Sequence, residues 1–512
     1  MTTDFFSDRP PDSISGDGSV LFQQAQQFDR LLRSKLSIDE VEQLKKDCHH
    51  TGKTNPFCPG ISKVRSFLKI VDQKSKASRP SSPKEITPAE LQFKNGQLLN
   101  SAKLRKSSIE SLLKTFSSIS ETELVAVSQL LKKETKCPNH AVVAAAATLE
   151  DYLPDNNQQE LIADLYLQGA KCARRELVDK EHYLTRAGLF LIWKKNYKKA
   201  VSFLKKVNPM DAFSGRALYW LAIAQRESGD RNASELTFTR LLARHPLAFH
   251  SLLASQPLSS DPLANWLVDR KIDKTRSTRS PSVNPFVSEA EILKRYGFDF
   301  SASIITDWVF DNFSHLEGDL RLHLASLSSP PTAIVQIPGV LISQPHLSSK
   351  AVMQWMFPRP FYEVFLRNNR GLDPYLLLAI ARKESRFNPN AVSSANAQGL
   401  MQINPQTAQK MLGSDSENLF DPSLSISLAA RHLNEDLSRF DNRLSHAIAA
   451  YNAGEEAVSS WVKRYPVSDP VLFIDLIPYR ETRDYTTYVL GYYYWYRKLY
   501  SDHPEEVLPK NV

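Results

Sequence analysis

Glycine, cysteine and long apolar runs are all scarce in this chain. Its 512 residues include 17 Gly and 4 Cys. So little glycine disfavours a turn-rich sheet protein and leans the chain toward helices. No stretch approaches the roughly 18 consecutive apolar residues that a membrane-spanning helix needs, so no such helix is expected. Cys48, Cys58, Cys137 and Cys172 fit no paired Cys-x-x-Cys spacing, and no metal site is expected of them. Cys48 and Cys58, with Pro59 and Gly60 behind them, are spaced to close a short disulfide loop in an oxidising compartment; free buried thiols fit the pattern equally well. The start of the chain, Met1 to Asp8, is acidic and lacks the basic region and apolar run of a secretory signal.

What is present describes an ordinary folded protein. Hydrophobic residues make up 42% and charged residues 23%, and the length calls for two or three domains rather than one core. The net charge of +8 favours polyanionic partners, although a basic surface kept for solubility accounts for it equally well. Zinc-finger spacing, RNA-binding aromatic motifs and recognition-helix signatures are all missing, so nucleic acid is not the expected partner.

Two stretches rich in Ser, Pro and basic residues, 74–84 and 274–282, read as extended linkers around a helical block. Before the first lie a polar tail, residues 1–20, and helical candidates at 21–36 and 64–71. Within the block, Asn196-Tyr197-Lys198-Lys199-Ala200 and Gly229-Asp230-Arg231-Asn232-Ala233 are similar entries into helices, about one tetratricopeptide period apart. Phe203, Leu204, Phe238 and Leu241 follow them, and Tyr219 and Trp220 lie on the preceding helix. The block is either a solenoid of stacked helix pairs or an irregular bundle. Residues 288–347 read as further short helices packed through Tyr296, Phe298, Trp308 and Phe310.

The chemistry concentrates near residue 384. Asp373 suits an N-cap and Pro374 the first helical position, which predicts a helix through Glu384. Leu376, Leu377, Ile380 and Ala381 share a face with Glu384, while Arg382 and Lys383 lie outside that stripe. A carboxyl group set against apolar neighbours keeps its proton to higher pH, which suits an acid catalyst. The bland alternative is a solvated Glu384, or one paired with Arg382 or Arg386. Residues 393–399 form a small polar loop in which Gly399 permits close backbone approach; Leu400, Met401 and a helix through Thr407 to Leu412 follow. The helix ending in Ala450-Tyr451-Asn452-Ala453 stops at Gly454, which suits a C-terminal cap.

Taken in order, these motifs resemble those of the soluble lytic transglycosylases: Glu384-Ser385, Ser393, Gly399-Leu400-Met401-Gln402 with Pro405 and Thr407-Ala408, Ala450-Tyr451-Asn452-Ala453-Gly454, and Ile477-Pro478-Tyr479-Arg480-Glu481-Thr482-Arg483. The close match covers about residues 356–512. The resemblance implies an all-α protein: an N-terminal segment with its linker (1–85), a superhelical, tetratricopeptide-like domain (86–285), a small helical linker domain (286–355) and a lysozyme-like catalytic domain (356–512). It implies a lyase that cuts the β-1,4 bond between N-acetylmuramic acid and N-acetylglucosamine in peptidoglycan and leaves 1,6-anhydromuramoyl ends, with no cofactor or metal.

In that scheme Glu384 is the single acid and base. Ser393 hydrogen-bonds near the sugar's acetamido group, and Gly399, Met401 and Gln402 line the cleft. Tyr451 lies near the acid, Asn452 braces the site, and Glu481 binds substrate with Arg480 and Arg483 as its ion-pair neighbours. The resemblance also implies a periplasmic location, peptidoglycan strands as the anionic partner, and room for other cell-wall enzymes on the helical arm. Asn396 stands where glycine is common in the family, a mild change because Asn tolerates left-handed backbone. Asn404 stands where methionine is common and is expected to alter a cleft wall. The competing readings are a goose-type lysozyme-like hydrolase, with a second carboxylate that positions water, and an inactive wall-binding scaffold.

Overall fold

The computed structural model describes residues 17–33, 56–63, 121–133, 139–151, 158–172, 177–207, 214–255, 264–269, 282–413 and 418–502. The linker at 74–84, most of the second one, the candidate helix at 64–71, Cys48 and Cys137 lie outside them. The chain divides into two compact units, each assembled from separated stretches: 1–83, 264–368 and 384–428 in the first, and 84–263, 369–383 and 429–512 in the second. Regular structure among the described residues is helical, apart from isolated bridges of Val392 with Gln398 and of Gln398 with Ile403. The expected all-α class is what the chain adopts.

In the first unit, the helix expected at 21–36 runs Asp17–Leu32. Its Phe28 stacks on Phe57 with ring centroids 5.2 Å apart. Both join a core built with the helices Asn284–Arg295, Asp299–Asn312 and Gly318–Leu327. Tyr296, Phe298 and Trp308 are buried in that core and Phe310 packs against it, the packing role expected of all four. Glu289 is fully buried there. Its Oε1 accepts a hydrogen bond of 2.8 Å from the Gly60 amide, and a Cβ on Gly60 would stand 2.5 Å from its other oxygen. Burial pushes this carboxyl up to about 8, against the opposing pull of the Gly60 amide, so residue 289 holds the 56–63 segment as a neutral acid near pH 7. Neighbouring Cys58 is disulfide-bonded, as is Cys172 of the second unit.

The second unit contains the two helix entries singled out by the sequence. Asn196 caps Tyr197–Leu204 by accepting from the Lys199 amide, and Asp230 caps Arg231–Arg244 by accepting from the Ala233 amide. Each cap follows a left-handed residue, Lys195 at φ 59° and Gly229 at φ 96°, so both turns reverse the chain in the same way. Phe203, Leu204 and Leu241 are buried behind them.

Two buried carboxylates join these helices to the chain's C-terminal stretch. Glu150 accepts from Arg186, Tyr166 and Tyr465, each at 2.6 Å, and Arg186 also donates to the Leu476 carbonyl at 2.7 Å. Asp475, fully buried, accepts from Trp220 Nε1 at 2.6 Å, pairs with His250 Nε2 at 2.7 Å and is held by the Arg216 guanidinium. Burial alone would raise the pKa of Asp475, but Arg216, His250 and Trp220 outweigh it and hold the group well below the usual carboxylate range.

A group with a depressed folded-state pKa contributes stability that is present above its unfolded pKa, about 3.9 for Asp, and lost as pH falls through the folded value. Asp475→Asn strips the charge from a buried pair and is expected to lower unfolding free energy by about 3–5 kcal/mol near pH 7. In denaturant melts followed by circular dichroism this deficit should be full above about pH 4 and shrink below it. A variant as stable as the parent at pH 7 would contradict the assignment.

Candidate active site

The helix that presents Glu384 runs Pro374–Glu384. Asp373 caps it, its Oδ1 accepting from the Tyr375 amide at 2.9 Å, while its Oδ2 accepts from the Tyr493 hydroxyl at 2.8 Å. The stripe expected of this helix is wider than its pattern: Leu376 through Arg382 are all buried. Arg382, assigned by periodicity to the outer side, is 3% exposed. Its guanidinium lies 4.4 Å from the Tyr492 ring centroid, a cation–π contact that makes a buried cation tolerable. Lys383 lies over the Tyr485 and Tyr488 rings. Much of the aromatic tail therefore packs against this helix. Tyr485, Tyr493, Tyr494, Trp495 and Tyr496 are buried, and Tyr488 is 52% exposed. Glu384, the last residue of the helix, is half-buried.

The first unit gathers Glu384 and the 393–402 residues into one knot. Ser385, next to Glu384, donates to the Leu400 carbonyl at 2.7 Å. Gln398 and Ile403 exchange backbone hydrogen bonds, and the Gly399 amide donates to the Ala391 carbonyl at 2.9 Å. The Gln402 amide group donates to the carbonyls of Ala391 and Gly399 at 3.0 and 2.9 Å, which spends its hydrogens on the loop and leaves its oxygen. Ser393 Oγ accepts from the amides of Ala395 and Ala397, so its hydroxyl proton is what remains to donate. Met401 is fully buried, a packed floor of the knot, and its amide donates to Ser425 Oγ at 3.1 Å.

The backbone here is strained. Arg386, Phe387, Asn396 and Gln402 have φ of 52°, 67°, 62° and 52°, and such left-handed residues cost about 1 kcal/mol or more each unless their surroundings enforce them. Asn396 uses the tolerance for which it was singled out. Asn404 does more than alter a wall: it caps the Pro405–Leu412 helix, accepting from the Gln406 amide. Gly399 is required outright, because at φ +78° a Cβ would stand 2.0 Å from the Leu419 carbonyl oxygen.

The other motifs meet in the second unit. The Leu444–Ala453 helix ends at Gly454, whose φ of 86° is open to glycine. Tyr451 and Asn452 are half-buried on its last turn, and Asn452 Oδ1 accepts from the Thr482 hydroxyl at 2.7 Å, which brings that motif against the 477–483 motif. Glu481 is exposed in the first turn of the Arg480–Tyr500 helix. The expected ion pairing around it is replaced: Arg480 reaches Asp484, one turn along, and Arg483 is buried, donating to the Ile477 carbonyl at 2.8 Å. The i to i+4 spacing and the pull of an open carbonyl decide both.

His432 packs on Tyr451 with ring centroids 5.4 Å apart, and Asp436 stands one turn further on. Burial, then Glu455, pushes the Asp436 carboxyl up to about 7. Ser425, Leu419, Thr482 and His432 hold the site residues without having been singled out as such, because their partners are distant in sequence and no local spacing reports them.

Residues 364–471 match the family model described as Transglycosylase SLT domain. The soluble lytic murein transglycosylase of Escherichia coli strain K12 is 36% identical over 158 residues, which cover 29% of this chain and 24% of the relative. A putative soluble lytic murein transglycosylase of Haemophilus influenzae is 37% identical over 153 residues, covering 28% and 26%. The chain thus spans about a quarter of the length of these curated relatives. The crystal structure of the 70 kDa soluble lytic transglycosylase from Escherichia coli superposes with a TM-score of 0.58 at 18% identity, covering 97% of this chain and 75% of that one. An inactive Glu-to-Gln mutant of lytic transglycosylase Slt from Pseudomonas aeruginosa superposes at 0.50 with 19% identity, covering 96% and 90%.

The fold is thus the all-α fold of the lytic transglycosylases. Beside that likeness in fold, residues 364–471 carry the match to the Transglycosylase SLT domain.

Gly399→Ala is expected to lower unfolding free energy by more than about 2 kcal/mol, combining left-handed strain with a backbone clash. Urea titration followed by tryptophan fluorescence measures it. A loss below about 0.5 kcal/mol, the range of a neutral surface change, would show that the loop can shift aside.

Proposed function

We propose that the protein is a peptidoglycan lytic transglycosylase, with Glu384 as its one acid and base. The reading is carried by a half-buried glutamate that ends a helix buried from Leu376 to Arg382 and is tied through Ser385 to the Gly399–Gln402 knot, inside the segment that matches the transglycosylase domain.

Glu384 donates its proton to the oxygen between N-acetylmuramic acid and N-acetylglucosamine. As that bond breaks, the acetamido oxygen of the muramoyl residue bonds to the anomeric carbon. The Glu384 carboxylate then takes the proton of the C6 hydroxyl, whose oxygen displaces the acetamido oxygen and closes the 1,6-anhydro ring. The proton count closes on Glu384, and no water enters the product. Ser393, through its hydroxyl proton, and Gln402, through its amide oxygen, bind sugar groups in this scheme. Tyr451, Asn452 and Glu481 carry the substrate-binding roles that the family resemblance implies.

A periplasmic location belongs to the same proposal. Disulfide bonds at Cys58 and Cys172 fit an oxidising compartment, the net charge of +8 suits an anionic wall, and no described helix is long and apolar enough to cross a membrane. A 70 kDa soluble lytic transglycosylase has been solved in complex with bulgecin A, which makes that compound a ligand to try here. Glu384→Gln should cut the rate of release of soluble fragments from purified peptidoglycan by at least about 1,000-fold, the scale on which acid–base groups act, with its melting temperature unchanged. Activity within tenfold of the parent would remove Glu384 from its role.

A further inference from the structure

Within the second unit, a cavity of ≈ 30 Å³ opens between the Leu177–Trp193 and Ser214–Glu227 helices and the first turn of Arg480–Tyr500. That exceeds the roughly 10–15 Å³ that admits one water. Two nitrogens on its wall are unsatisfied. Arg186 is 1% exposed, and among the described residues neither its Nε nor His182 Nε2 has a partner. The arginines around the cavity are unevenly matched: Arg186 is held by Glu150, Arg216 by Asp475 and Asp484, and Arg480 reaches Asp484. Arg483, 2% exposed, pairs with no carboxylate of the described residues and donates only to the Ile477 carbonyl.

The electrostatics agree with that imbalance. Burial, followed by the neighbouring Arg216, lowers the Arg483 guanidinium to about 9 against the pull of Asp484. Burial and the surrounding arginines hold His182 well below its ordinary range. A carbonyl satisfies a hydrogen bond but does not neutralise a buried cation, and burying an under-compensated charge is costly. Glu181 also lines the cavity, so the ligand must be small enough to sit on the arginine and histidine side of it.

We propose that this cavity binds a small anion, either a free oxyanion or the carboxylate of a larger ligand, through His182, Arg186 and Arg483. In the tautomer protonated at Nε2, His182 supplies a third donor beside the two guanidinium groups, and the bound charge offsets that of Arg483. The site lies apart from Glu384 in sequence and in chemistry, and its occupancy does not depend on the proposed activity.

The test uses the full chain at pH 7 and constant ionic strength, with inorganic phosphate and N-acetyl-alanine as separate probes and chloride as the control. At about 10 mM, either probe should raise the melting temperature by about 3 °C over chloride, saturably. In His182→Leu, which removes a donor and keeps the bulk, the rise should vanish. Phosphate acting alone marks a free oxyanion site; N-acetyl-alanine acting alone marks a site for a peptide carboxylate. A rise of equal size in parent and variant would be a general salt effect and would overturn the proposal, as would no rise with either probe up to about 50 mM. Should the variant fail to fold, the His182 ring resonances of the parent decide: they move saturably with the probe if the site is real, and stay fixed if it is not.

Discussion

A buried carboxylate at residue 475 is the constraint on which the second unit depends. Asp475 belongs to a seven-residue helix, Pro470–Leu476, too short to be stable alone. Its partners Arg216, Trp220 and His250 come from helices more than 200 positions earlier. Each of those donors would be expensive to bury unpaired, and each is satisfied by the same two oxygens. Glu150 does the same a short distance away, through Arg186, Tyr166 and Tyr465. The 477–483 stretch, which carries Glu481, follows directly on this anchored helix, so its placement is inherited from the paired charges before it.

The knot after Glu384 works by a different principle. It buries little surface for its length and contains four non-glycine residues in left-handed geometry. Its order comes from backbone groups satisfied by one another and by Ser385, Ser393 and Gln402. Strain of this kind persists only where surroundings enforce it, and it is common where a loop must hold polar groups toward a ligand. The close approach of Gly399 to Leu419 locks the knot from behind, and the fully buried Met401 fills the space beneath it.

Sequence reasoning succeeded where the physics is local. The helix cap at Asp373, the helix entries at 196–200 and 229–233, the stop at Gly454 and the tolerance of Asn396 all follow from a residue and its near neighbours, and each is found in place. Reasoning from pattern failed where a long-range partner reverses the expected preference. Arg382 looks like a surface residue until Tyr492 covers it. Arg480 and Arg483 look like partners for Glu481 until Asp484 and the Ile477 carbonyl offer better geometry. Asn404 looks like a wall residue because its capping role depends on where the next helix starts. Asp475, flanked by apolar residues, carries no local sign that three donors wait for it.

The account rests on one carboxyl group doing the work that ordinary glycosidases divide between two, with the sugar's own hydroxyl taking the place of water. Mass spectrometry of the fragments released from purified peptidoglycan in heavy-oxygen water tests this most directly. The account predicts muramoyl ends lighter by one water than hydrolysed ends and free of the heavy isotope. Ends of the hydrolysed mass that carry the label would show that water is the acceptor and would contradict it.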